Sequence, residues 1–188
     1  KVNEKVFPEI INISSLPKHP QLINLFYNSE GHISKDLELI KDGVFKNFIV
    51  DHYYGKKLNM EKNGSVGVDA LVFDNGEKTL EEMIAGVKKG LYVSNLHYMN
   101  FINMKETSVT GLTRDGTFLI EDGKITKVVN NLRYTEKISE ILENITEIEN
   151  KQYTIPRSDN YGSFGLHSGL VPHVKTSKFK ITSSTKTI

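Results

Sequence analysis

The sequence predicts an α+β fold dominated by antiparallel β-sheet. Two Asp-Gly pairs, Asp42-Gly43 and Asp122-Gly123, each separate two strand-like runs and favour tight hairpin turns. Two segments, at about 79–90 and 136–149, carry apolar residues at helical spacing and predict the two main amphipathic helices. The resulting order of strands, helix, strands, helix and strand is typical of α+β proteins.

Composition excludes several classes of protein. The 188 residues are 38% hydrophobic, enough for one sizeable core or two small ones. The net charge of +1 comes from interspersed Lys and Glu, so we expect no direct binding of nucleic acid. No apolar run approaches the roughly 20 residues that span a bilayer, so we expect no membrane association. The absence of cysteine excludes disulfides and fits a reducing, cytoplasmic location.

The first part of the chain differs in character from the rest. Residues 1–30 are polar and interrupted by Pro8, Pro17 and Pro20, which predicts an extended or irregular segment. We expect residues 31–188 to form a single β-rich domain. Because the sequence opens on Lys1 rather than Met, we interpret it as part of a longer protein.

The first helix has start and stop signals. Thr79 and Glu82 form a capping-box pattern, and Gly90 is placed to end the helix. Its apolar stripe consists of Leu80, Met83, Ile84, Val87 and Leu91. The second helix is predicted from its apolar residues Ile138, Ile141, Leu142, Ile145 and Ile148.

Strands fill most of the remaining sequence. The predicted strand regions are Leu37 to Val50, Ala70 to Phe73, Gly90 to Thr110, Phe118 to Val129, and Val174 to Thr182. The aromatic and basic run from Asp51 to Lys57 is interpreted as a strand end and loop.

Three stretches, taken together and in order, resemble one known family. They are Glu38 to Ile49, Thr79 to Ile84 with Gly90 to Val93, and Val109 to Ile125 continued by Asn131 to Thr135. Val171-Pro172 and the closing Phe179 to Thr182 add to the pattern. The set covers roughly residues 28–188 and is similar to the C-terminal half of the TldD/PmbA family, with Thr113 to Ile120 closer to its PmbA-like members.

The resemblance implies both an architecture and an activity. Members of this family are cytosolic zinc-dependent peptidases and their metal-free partner subunits. The name "modulator of DNA gyrase" also attaches to the family. The resemblance implies a two-domain parent, a homo- or hetero-dimer of family subunits, and a peptide channel between them. In the peptidase type, a His-Glu-x-x-x-His helix of the N-terminal half and a cysteine of the C-terminal half hold the zinc.

This chain departs from the zinc-binding pattern twice. No two of its six histidines are four residues apart, and Ser163 or Phe164 falls where the cysteine would lie. We therefore expect no catalytic residue within this stretch and no activity from it alone. We expect the C-terminal domain of a peptidase assembly acting on peptides or partly unfolded proteins, where it forms channel wall and dimer surface. The alternative is a metal-free PmbA-type partner subunit that binds peptide or protein.

A few residues are candidates for a site. His97 and Tyr98 lie in a strand whose alternating side chains either line a groove for an extended peptide or belong to an ordinary half-buried strand. Arg114 either binds a peptide carboxylate, or it pairs locally or faces solvent beside an Asp115-Gly116 turn. In the glycine-rich segment, His167, or else His173, either replaces the missing zinc ligand or lies in a loop that ends the sheet pairing.

Overall fold

Strands dominate the structure, and the α+β prediction is confirmed. This computed structural model describes residues 1–23, 25–63, 67–157 and 167–184. The chain divides into two compact units, Lys1–Gly76 with Asn150–His173 and Glu77–Glu149 with Val174–Ile188. The strands are β1 (Ile13–Ser15), β2 (Leu37–Lys41), β3 (Val44–Phe45), β4 (Leu71–Phe73), β5 (Lys89–Asn103), β6 (Ser108–Glu121), β7 (Lys124–Val128), β8 (Leu132–Lys137), β9 (Ile145–Arg157), β10 (His167–Thr176) and β11 (Ile181–Ser184). The α-helices of the described residues are α1 (His52–Leu58), α2 (Leu80–Ala85) and α3 (Ile138–Glu143), and a 3₁₀ helix spans Gly67–Ala70.

The first unit is built on a mixed sheet with strand order β3-β2-β1-β4-β10-β9. The hairpin predicted at Asp42-Gly43 is confirmed, with φ of 51° and 73°. Gly43 is required there, since an added Cβ would lie 2.2 Å from the carbonyl oxygen of Phe7. Strands β4 and β10 run parallel, with Val72 opposite Leu170. Both residues belong to a buried apolar cluster with Leu22 and Ala70.

The segment after Asp51 forms a helix, so its interpretation as a strand end and loop is wrong. The Asp51 side chain accepts a hydrogen bond from the backbone N–H of Tyr54 at 2.7 Å and caps α1. Asn59 ends the helix in the left-handed conformation. These two caps satisfy backbone groups that a loop would leave to solvent.

The second unit is built on an antiparallel sheet with strand order β11-β8-β6-β5. Strand β6 is central, since β5 pairs along one side while β8 and then β7 pair along the other. The hairpin predicted at Asp122-Gly123 is confirmed, with φ of 48° and 76°. Strand β5 therefore forms one edge of this sheet as far as the described residues extend.

Helix α2 starts as predicted and ends earlier. The capping box is present: the Thr79 hydroxyl accepts from the Glu82 N–H at 3.2 Å, and the Glu82 carboxylate accepts from the Thr79 N–H at 2.8 Å. The helix stops at Ala85, with Gly86 as its C-cap. The prediction that Gly90 ends it is wrong, because Gly90 pairs with Ile120 inside β5.

The second predicted helix is much shorter than the pattern indicated. Only Ile138–Glu143 is helical, and no side chain caps its start. Glu136 and Lys137 pair with β6, and Ile145 begins β9. The prediction of helix over 136–149 is therefore wrong at both ends, because sheet pairing outweighs the 3.6-residue periodicity. The predicted last strand over 174–182 is likewise divided between β10 and β11.

No helix among the described residues is both long enough and apolar enough to cross a membrane.

Candidate functional site

The four predicted peptide-contacting residues all lie in the ladder between β5 and β6. Asn95 pairs with Arg114, and His97 pairs with Leu112. Opposite residues of an antiparallel pair share a face, so His97 and Arg114 are diagonal neighbours on one side of the sheet. The ladder is irregular on both sides of these pairs, between Val93 and Asn95 and again beyond His97.

Asp115 and Gly116 form a bulge within β6, so the prediction of a turn there is wrong. Asp115 has φ of 60° and Gly116 has φ of 135°, both outside the range of regular strands. A Cβ at Gly116 would lie 2.6 Å from the Phe118 ring, so this position requires glycine. The Asn95 side-chain amide donates a 2.7 Å hydrogen bond to the Asp115 carboxylate and fixes the bulge against β5.

Two buried hydroxyls support this bulge from the other face of the sheet. Thr117 donates from its hydroxyl to the hydroxyl of Thr113 at 2.7 Å, and both side chains are almost fully buried. The backbone N–H of Leu132, at the start of β8, donates to the same Thr113 hydroxyl at 2.9 Å. The bulge is thus anchored to both neighbouring strands, which holds Arg114 in place.

Tyr98 interrupts the alternation that the sequence predicted. Its φ is 55°, an uncommon and strained value for an aromatic residue. The register shifts between His97 and Asn100, so side chains beyond this point do not continue the alternation of the preceding residues. Tyr98 itself is 64% exposed and lies against the His97 ring, with 6.0 Å between ring centroids.

The outer half of β5 is an exposed apolar surface that the sequence analysis missed. With Met104, which directly follows the strand, its large apolar side chains are between 42% and 78% exposed. They are Leu96, Tyr98, Met99, Phe101, Ile102 and Met104, and we call them the β5 apolar edge. The sequence signal for this surface is the two pairs of adjacent apolar residues, at 98–99 and 101–102. Neighbouring residues of a strand point to opposite faces, so a core on one side can bury only one member of each pair.

A separate cleft of about 410 Å³ lies in the first unit. It is lined by residues from four segments of that unit, with the polar side chains of Tyr27, Glu30, Asp51, Asp69 and His167 among them. Glu30 and Asp51 are already engaged as acceptors at the start of α1. His167 Nδ1 lies 3.9 Å from a carboxylate oxygen of Asp69, which is beyond hydrogen-bonding distance.

The structure does not bring the candidate metal ligands together. His167 and His173 both lie on β10, six residues and therefore roughly 20 Å apart at the rise of an extended strand. His173 packs edge-on against Tyr153, with ring centroids 5.0 Å apart. Ser163 and Phe164, at the expected cysteine position, lie outside the described residues.

The described donor set does not fit a complete zinc site. Within residues 1–23, 25–63, 67–157 and 167–184, no group of three or more His, Cys, Asp or Glu side chains is placed to hold a metal ion. His167 with Asp69 supplies two donors at most. Zinc, which the family resemblance implies for the full-length peptidase type, would therefore need ligands beyond those described.

Sequence comparison identifies the class of protein that this two-unit, sheet-rich chain represents. The family model described as the PmbA/TldA metallopeptidase C-terminal domain matches residues 1–183. The chain therefore belongs to the TldD/PmbA metallopeptidase family and corresponds to its C-terminal domain.

Three relatives agree with this assignment. The zinc metalloprotease TldD homolog of Saccharolobus solfataricus is 27% identical over 95% of this chain and 43% of its own length. The metalloprotease PmbA homolog of Buchnera aphidicola subsp. Baizongia pistaciae is 23% identical over 79% of this chain and 33% of its own length. The crystal structure of TldE from Thermococcus kodakarensis matches with a TM-score of 0.79 and 25% identity over 96% of this chain and 41% of that chain. The chain thus spans less than half the length of these relatives.

Proposed function

We propose that this chain is the part of a cytoplasmic TldD/PmbA-type peptidase assembly that forms channel wall and dimer surface, and that the assembly acts on peptides or partly unfolded proteins. The β5 apolar edge supports this role most directly. An edge strand leaves a row of backbone N–H and C=O groups unpaired, and these groups are a template for another chain. Exposed apolar patches on soluble proteins usually mark interaction surfaces.

The occupant of this edge is a second subunit of the same family, identical or different. Adjacent members of the edge, such as Phe101 and Ile102, point to opposite faces of the strand, and both are more than half exposed. A flat cover on one face would therefore leave apolar side chains of the other face in water. A partner that pairs with the strand covers both faces and satisfies the backbone groups together.

Removing the apolar character of the edge tests this role. The double substitution Phe101→Glu with Ile102→Glu places two charges among exposed side chains, so the fold should be kept while association is lost. Val128→Glu is the matched control, because Val128 is a 77% exposed apolar residue on β7. Light scattering after size exclusion should show a lower mass for the double variant only. Equal masses for all three proteins would contradict the proposed dimer surface.

A metal-free partner subunit is the second candidate function. It is favoured by the lack of any cysteine, since the family pattern places one zinc ligand of the peptidase type in this half. In that case the chain would bind peptide or protein, and another family subunit would carry the metal. Both candidates use the same edge, so the association experiment does not separate them.

Zinc content separates the two candidates. The purified full-length protein, dialysed extensively, is measured by elemental analysis alone and in complex with a family partner. About one zinc per chain in the protein alone, together with chelator-sensitive hydrolysis of a fluorogenic peptide, would support the peptidase. Zinc found only in the complex would support the partner subunit.

A further inference from the structure

The exposed face of the second sheet carries two arginines that form no ion pair with any described residue. Leu112 on β6 is opposite both His97 on β5 and Arg133 on β8. Arg114 is two residues from Leu112 on the same strand and therefore shares its face. Arg114, Arg133 and His97 thus lie on one side of three adjacent strands, with Asn95 opposite Arg114.

Neither guanidinium is neutralised within the described residues. Arg114 and Arg133 are both exposed, and neither forms an ion pair with a described carboxylate. Lys137 on the same face differs, because it lies 3.1 Å from the Glu106 carboxylate and 4.0 Å from that of Glu140. The one carboxylate beside Arg114 is that of Asp115, which accepts the hydrogen bond from Asn95. Two guanidinium groups on this face are therefore left as bidentate donors without an ion-pair partner among the described residues.

The spacing of the two arginines suits an extended chain. Diagonal neighbours on adjacent antiparallel strands have Cβ atoms roughly 7–8 Å apart. In an extended peptide, side chains on one side repeat every roughly 6.6–6.8 Å, which is twice the rise of a strand residue. Carboxylates at alternate residues of such a peptide would reach both guanidiniums together. Consecutive carboxylates would not, because they point to opposite sides.

We propose that this face binds an extended acidic peptide segment, in which Arg114 and Arg133 each hold one of two carboxylates at alternate residues. The proposal rests on the proposed function and names the class of peptide that the assembly handles. The bulge at Asp115-Gly116 serves this role, since its buried Thr113–Thr117 hydrogen bond and its Asn95 contact fix the strand that carries Arg114.

Fluorescence polarisation at low salt tests the proposal with the purified full-length protein. The probe is a fluorescein-labelled Gly-Glu-Thr-Glu-Thr-Glu-Gly peptide, and the comparison peptide carries Gln at the three Glu positions. Replacing carboxylates by amides should weaken binding about tenfold or more, because charge-assisted bidentate hydrogen bonds are lost. Added salt should weaken the binding of the acidic probe, since exposed charges are screened.

Three variants assign the binding to this face. Arg114→Gln and Arg133→Gln should each weaken the acidic probe about tenfold. Lys127→Gln, which removes an exposed cation from β7, should leave the affinity unchanged. The proposal is overturned if the wild-type protein binds neither peptide, if the Gln peptide binds equally well, or if the arginine variants behave like Lys127→Gln. Displacement by equimolar inorganic phosphate would also overturn it, by indicating a small-anion site.

Measuring mass in the same samples separates this proposal from the dimer surface. The two arginine variants should keep the wild-type mass, whereas Phe101→Glu with Ile102→Glu should lose mass and keep its affinity for the acidic probe. Suppose that the double variant Phe101→Glu with Ile102→Glu keeps the wild-type mass while the arginine variants no longer bind the acidic probe. The proposed dimer surface is then contradicted, and the proposed acidic peptide site is supported.

Discussion

The two halves of β5 differ in how regularly they pair with β6 and in how far their apolar side chains are exposed. The inner half, Lys89 to Val93, pairs with β6 residue by residue. The segment after α2 is tied to the same hairpin, since the Asp122 and Gly123 N–H groups donate to the carbonyls of Lys88 and Val87 at 2.8 and 2.9 Å. The outer half has register shifts, a strained Tyr98 and the β5 apolar edge.

The proposed subunit surface would make the inner half of the strand structural and the outer half interacting. Regular pairing with β6 and the hydrogen bonds from the Asp122-Gly123 turn stabilise the inner half within the unit itself. The apolar side chains of the outer half gain little free energy from folding, because they stay in contact with water. Their burial would come from association, so substitutions there should change binding more than stability.

Truncating one methionine in each region should give the largest contrast. Met83 on α2 is 3% exposed, whereas Met99 on the outer half of β5 is 55% exposed. Met83→Ala should lower the free energy of unfolding by about 2–5 kcal/mol, because it leaves a cavity. Met99→Ala should change it by no more than about 0.5 kcal/mol. Urea denaturation measures both, and equal losses would show that the outer half of β5 contributes to the stability of the unit as much as the buried side of α2.

Adding a methyl group at Gly111 of β6 tests how tightly the sheet is packed beside the outer half of β5. A Cβ there would lie 2.5 Å from the hydroxyl oxygen of Tyr134 and 2.9 Å from the carbonyl oxygen of His97. Gly111→Ala should therefore cost about 1–3 kcal/mol through overpacking. Gly169→Ala is the control, since its added Cβ meets the Leu71 carbonyl oxygen at 3.4 Å, an ordinary contact. Equal melting temperatures for the two variants would show that the buried face is loosely packed.

Removing the cap of α2 should have a smaller effect. Thr79→Ala removes the hydroxyl that accepts from the Glu82 N–H, and helix caps of this kind contribute about 1 kcal/mol. We expect a lower thermal midpoint with an unchanged oligomeric mass. A loss of mass in this variant would indicate that association depends on the inner half as well.

The pH dependence of stability should show the smallest effect, at Glu147 near α2. Burial alone raises the pKa of Glu147, but hydrogen bonds from Lys78 at 3.0 Å and Lys175 at 3.1 Å outweigh it and lower that pKa below its usual 4.5. A carboxyl with a lowered folded-state pKa contributes stability above its unfolded-state pKa, and this is lost as pH falls through the folded value.

The measurement compares the free energy of unfolding at neutral pH with that at a pH below 4.5. Glu147→Gln should lower stability by under about 1 kcal/mol at neutral pH, because its partners are partly exposed, and should shrink the loss on acidification. Glu143→Gln, on an exposed residue of α3, should keep the wild-type acid profile. The same profile for both variants would show that the Lys78–Glu147–Lys175 contacts contribute nothing.

Local signals in the sequence predicted the local features of the fold. The Asp-Gly pairs located both hairpins because a positive φ is a property of the turn residues themselves. The Thr79–Glu82 capping box located the start of α2 for a similar reason. The end of α2 and both ends of the 136–149 helix were mispredicted, because Gly90 pairs with β6, Glu136 and Lys137 pair with β6 as well, and Ile145 begins β9.

The candidate site shows the same limit. The sequence indicated the strand that carries His97 but placed Arg114 beside a turn, whereas Arg114 lies inside β6. The face that the two residues share depends on a register that only the paired strands define. Arg133 was not predicted, since its place beside Arg114 follows from the pairing of β8 with β6. The approach of His167 to Asp69 joins residues 98 positions apart, for which no sequence motif exists.

Hydrogen–deuterium exchange of the wild-type protein at low and high concentration tests the division of β5 most directly. If the outer half is the subunit surface, the amides of residues 96–103 should gain protection as the protein associates. Those of residues 109–113, already paired within the sheet, should not change. Association without any gain of protection over residues 96–103 would contradict the assignment of the β5 apolar edge as the subunit surface.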